Sequence, residues 1–182
     1  IDAKDITSAA AVTATADTGT VTVTGAWAAA KQVAVTSLVK TVTLNSDITT
    51  KEGHLTVTCN HNENGGLRLA KAGKDIVQNI QAKEDLSIDA KDITSAVVVT
   101  ATADLGTVTV TGAWVANQGV EVTSSEKTVT LNSDITTKAG QLTLTSKHNM
   151  NGGLVLAKAP GGTPQNIQAK EDLSIDAKDI TS

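Results

Sequence analysis

Apolar and polar residues alternate in short runs along the whole chain: LSID (86–89), VTAT (99–102), VTVT (108–111), VEVT (120–123), VTLN (129–132), LTLT (142–145) and LVLA (154–157). A period of two places Val, Leu and Ile on one face and Thr or Ser on the other, which is the signature of a strand with one face buried. No segment carries the 3.6-residue period of a helix. Between the runs lie turn formers, among them Asn45-Ser46-Asp47, Lys51-Glu52-Gly53 and Asn64-Gly65-Gly66, which supply side-chain hydrogen bonds or positive φ where the chain must bend. Pro160 and Pro164 fall in one divergent loop, APGGTPQ, outside the strands, where they cost no ladder hydrogen bond.

The alternation sits inside a longer repeat. IDAKDITS begins at Ile1, Ile88 and Ile175, 87 residues apart each time, and 2 × 87 + 8 accounts for all 182 residues. Residues 1–87 align on 88–174 without a gap, and 65 of the 87 positions are identical. The organisation is thus unit 1 (1–87), unit 2 (88–174) and the start of a third (175–182). A fixed period of this kind marks a stacked architecture. With Leu86, Val108, Val129, Leu154 and Leu173 as strand starts, the spacings are 22, 21, 25 and 19 residues, which predicts four coils of about 22 residues per unit. The expected fold is all-β: a right-handed parallel β-helix (β-solenoid) of about eight coils without caps, the hand following from the general preference of crossovers. At about 4.8 Å per coil it would be roughly 40 Å long, with units repeating every ~19 Å.

Composition sharpens this picture. Trp27 and Trp114 are the only aromatic residues and Thr occurs 29 times, so the core must be filled by thin aliphatic layers between β-favouring strands. A net charge of −4, with Lys and Arg not clustered, argues against a nucleic-acid partner, and no run of about 20 apolar residues predicts a membrane span. The lone Cys59 becomes Ser146 in unit 2, as a small half-buried strand residue would, and no intrachain disulfide is available to it.

KTVTLNSDITTKEGHLTVT (40–58) and KTVTLNSDITTKAGQLTLT (127–145) resemble the repeats of filamentous-haemagglutinin-type adhesins and of giant bacterial surface proteins with β-helical stalks, the most specific part being DITTxxGxLTLT. The resemblance implies surface display or secretion and a role in adhesion, aggregation or extracellular scaffolding. The expected function is a structural segment of a long extracellular fibre, whether filament, sheath or adhesin stalk. Its partners would be copies of itself end to end or neighbouring repeats of the same chain. The alternative is a module that binds cell-surface glycan, with Trp27 and Trp114 stacking on sugars from one face, four coils apart, or His61 and His148 acting in the turns HNENGG and HNMNGG. A Trp covering the coil core competes with the stacking role.

Catalysis is not expected, because the chain offers the same residues every 87 positions in place of a unique constellation. Glu84, Asp85, Asp89 and Asp92, with Glu171, Asp172, Asp176 and Asp179, are the only candidates for a Ca²⁺ site. Interleaved Lys83 and Lys91 favour a solvated face of mixed charge, so no cofactor is expected.

Overall fold

A computed structural model describes residues 5–59, 65–73, 76–147, 152–157 and 164–182, and these form an all-β solenoid of parallel strands. Each turn crosses three faces, and every strand between the first and last turns pairs in parallel with the strand one turn below and one turn above. The first face stacks β1 (Asp5–Ser8), β4 (Ala26–Ala29), β7 (Ile48–Thr50), β10 (Val77–Ala82), β12 (Val98–Ala103), β14 (Val120–Ser124), β17 (Leu142–Ser146) and β20 (Leu173–Ala177). The second stacks β2 (Val12–Ala16), β5 (Val33–Ser37), β8 (Leu55–Cys59), the first halves of β11 (Leu86–Ser95) and β13 (Val108–Ala116), β15 (Val129–Leu131), β18 (Leu154–Leu156) and β21 (Ile180–Thr181). The third stacks β3 (Val21–Val23), β6 (Val42–Leu44), β9 (Leu67–Leu69), the second halves of β11 and β13, β16 (Ile135–Thr137) and β19 (Ile167–Gln168).

The alternation read from the sequence is what closes the prism. Inward residues of successive turns stack on one another, as in the column Ile6–Trp27–Ile48–Ile80–Ala101–Val122–Leu144, and nearly all are covered to within a few per cent. Each Val, Leu or Ile removed from water in this way contributes about 1.5–3 kcal/mol. The outward positions between them are half-exposed and carry most of the threonines. The strands stay short because the chain turns a corner after each one. β11 and β13 run continuously around a corner, and the register shift between Asp89 and Asp92 marks the bend. Gly112 makes the bend in β13: its φ is +118°, and a Cβ there would come within 1.9 Å of the Ala90 carbonyl oxygen.

The coil count within a unit differs from the sequence expectation. Leu86, Val108, Val129 and Leu154 do lie in one column of the second face. Leu173, taken above as the next start in that column, lies on the first face, paired with Leu142. The 19 residues from Leu154 to Leu173 therefore run from the second face through the third to the first and do not complete a turn. Counting β11 and β13 twice for their bends, an 87-residue unit contains eleven strand segments, and 11/3 gives 3⅔ turns in place of four. Unit 2 is accordingly advanced by two faces: Ile6 in β1 lies on the first face, whereas its counterpart Ile93 lies on the third. The described solenoid comprises seven full turns and two sides of an eighth.

Candidate functional site

Both tryptophans lie inside the prism. Trp27 sits between Ile6 and Ile48, and Trp114 between Ile93 and Ile135, each only 1% exposed. The Trp114 indole N–H donates to the Ser95 hydroxyl at 3.2 Å, which satisfies the one polar atom that burial would strand. A role for Trp27 or Trp114 in stacking on a sugar does not hold, because no ring face reaches solvent. Nor do the two share a face, since Trp27 belongs to the first and Trp114 to the third. The other pair read as candidates, His61 and His148, lies outside the described residues.

The acidic segment resolves into local pairs. Glu84 Oε2 lies 3.1 Å from His54 Nε2, and Asp85 Oδ2 lies 3.3 Å from His54 Nδ1. Asp85 Oδ1 accepts from the Thr107 backbone N–H at 2.7 Å and from the Thr107 hydroxyl at 3.0 Å. The Thr107 backbone bond is the main reason that the Asp85 carboxyl is held below the usual carboxylate range, with the Thr107 hydroxyl, His54 and Lys127 acting in the same direction against the opposing effect of burial. Lys83 pairs with Asp104 at 3.4 Å. Among the described residues no group of three or more His, Cys, Asp or Glu side chains is placed to hold a metal ion. Because His54 is Gln141 in unit 2, the three-residue cluster is not a property of the repeat.

Cys59 is buried at the end of β8, and burial pushes its thiol up to about 11, which leaves it protonated and unreactive at neutral pH. Its counterpart Ser146 uses the same place to donate to the Lys127 carbonyl at 2.8 Å. One open groove of about 280 Å³ on the third face brings Arg68 and Lys138 together beside Thr94 and Asn117. Arg68 is replaced by Val155 one unit on, so this groove too is not repeated.

What does repeat is a lattice of corner hydrogen bonds that the sequence pattern left unread. Gln78 is fully buried, and its side-chain amide donates to the Leu44 and Ser46 carbonyls at 2.9 and 3.0 Å; Gln165 does the same to Leu131 and Ser133 at 3.1 and 2.7 Å. Asp47 and Asp134 accept from the backbone N–H groups of Asn79 and Asn166 at 2.7 and 2.8 Å. Thr50 and Thr137 each donate to the carbonyl three residues on, at 2.9 Å in both units, and accept from the N–H of Lys83 and Lys170 at 3.0 and 3.1 Å. Such bonds tie adjacent turns together at the corners, where the strand ladders are interrupted. The signal for them was the invariance of Asp47-Ile48-Thr49-Thr50 and Gln78-Asn79-Ile80 between units. Alternation and turn propensity alone do not show that these residues are partners of one another.

No family model, no curated protein and no solved structure matches the chain.

Proposed function

We propose that the chain is a load-bearing segment of a long extracellular β-solenoid fibre, either a filament, a sheath or the stalk of a surface adhesin. The observation that carries this reading is that the two units reproduce the same strand ladders and corner bonds with no seam between them. β10 of unit 1 pairs with β12 of unit 2 over six residues, as β12 then pairs with β14 inside unit 2 over five. A column without a seam extends by adding units. The partners the reading names are neighbouring repeats of the same chain or copies of it placed end to end. Surface display is supported by the resemblance of the DITTxxGxLTLT segments to bacterial stalk repeats.

The mechanism is mechanical. Parallel ladders run along the rod axis on all three faces, so extension loads many hydrogen bonds at once, and the aliphatic columns resist shear between turns. Electron microscopy of the purified protein tests the proposal. Long unbranched filaments about one solenoid wide are expected, and particles that stay at single-chain length at high concentration would restrict the chain to a passive spacer.

A further inference from the structure

The eleven strand segments of the 87-residue unit do not divide evenly among three faces, and this mismatch has a geometric consequence for any array of such units. We propose that successive units form a threefold screw: each unit advances the rod by 3⅔ turns, about 18 Å at ~4.8 Å per turn, and ends two-thirds of a revolution round from where it began. Three units, 3 × 87 = 261 residues, complete eleven turns before a feature returns to the same face. This deepens the fibre reading and rests on it for arrays longer than the two units present.

The phase is already visible between the two units. Trp27 and Trp114, Thr49 and Thr136, and Ile80 and Ile167 are pairs of equivalent residues, and in each pair the first member lies on the first face and the second on the third. The corner bonds of Thr50 and Thr137, and of Gln78 and Gln165, keep their lengths to within a few tenths of an ångström while changing corners. The same corner bonds thus form in two of the three possible phases. Whatever side chain a unit displays at one edge of the rod, three consecutive units display at all three. A rod built this way has no preferred side and offers its surface groups equally in every lateral direction.

Spin labels placed on the full chain test the phase independently of filament formation. Thr49 and Thr136 are 87 residues apart and equivalent in sequence, whereas Thr49 and Thr145 are 96 apart but lie on one face, linked through Gln81, Thr102 and Thr123. In a Cys59→Ser background, T49C/T145C should report a separation close to four turns, about 19 Å. T49C/T136C should report a longer one, because its axial offset of roughly 18 Å is added to the distance between two faces. T43C/T130C, on the third and second faces, should repeat the longer value if a label at Thr49 disturbs folding. A T49C/T136C distance no longer than that of T49C/T145C would mean that the units superpose by translation alone and would overturn the screw. Microscopy of filament length decides the fibre reading separately, whichever way the distances fall.

Discussion

Replacing Trp114 with alanine removes the largest side chain of the second unit's core from a place where nothing can collapse to fill the gap. The ring lies between Ile93 and Ile135 in a stack whose spacing is fixed by the backbone ladders, and its N–H supplies the Ser95 hydroxyl. Truncating a buried Trp costs about 3–5 kcal/mol, and the rigid spacing of the turns places this site toward the upper end. Loss of the donor to Ser95, itself 2% exposed, adds about 1 kcal/mol. Trp27→Ala should fall in the same range of ~3–5 kcal/mol, because Trp27 has the same Ile neighbours on a different face. Urea unfolding followed by circular dichroism gives the stabilities, and native tryptophan emission gives the environment: blue-shifted and poorly quenched by acrylamide in the folded chain. Emission like that of indole in water, together with a Trp114→Ala cost within about 0.5 kcal/mol, would refute core placement and reopen a role at the surface.

Three further outcomes are expected. Asp85 has a folded-state pKa below its unfolded value, so its contribution is fully present above the unfolded value near 3.9 and is lost as pH falls through the folded one. Comparing Asp85→Ala with the parent in urea melts across that acid range should show their difference shrinking toward zero, from a start below about 1 kcal/mol because the side chain is 44% exposed. Gly112→Ala should disrupt the corner of β13, since it combines a φ of +118° with a 1.9 Å approach to the Ala90 oxygen, whereas Gly19→Ala, with open space around it, should be silent in the same melts. Deleting residues 99–119, one full turn, brings Val120 to the place of Val99 and hands each later strand the partner it would have had one turn lower; the chain should fold to a rod about 5 Å shorter by X-ray scattering, and an unfolded product would refute the register.

The strands were legible because alternation is a local property: TVTLN and LTLTS each declare an inward and an outward face without reference to the rest of the chain. The stacking was legible too, because the 87-residue repeat with its sub-spacings near 22 residues leaves few alternatives to a solenoid. What the sequence did not reveal was the phase. Leu154 to Leu173 looks like a short coil, since a count of residues cannot separate a full turn of tight corners from two sides joined by a loop. Buried Gln78 was equally silent, because a Gln at an alternating position reads as an outward residue until the carbonyls it serves are brought 34 and 32 residues forward to meet it.

The screw also explains why the phase left no mark on the composition. Turning a whole unit by two-thirds of a revolution carries each strand together with the strands beside, above and below it, so an inward side chain keeps its partners at fixed distances along the chain whichever face it occupies. Trp27 and Trp114 show this: each lies between Ile residues 21 positions before and after it, on the first face in unit 1 and on the third in unit 2. A unit therefore needs no side chain that distinguishes one face from another, and the alternation of inward and outward residues reads the same in both units while their faces differ.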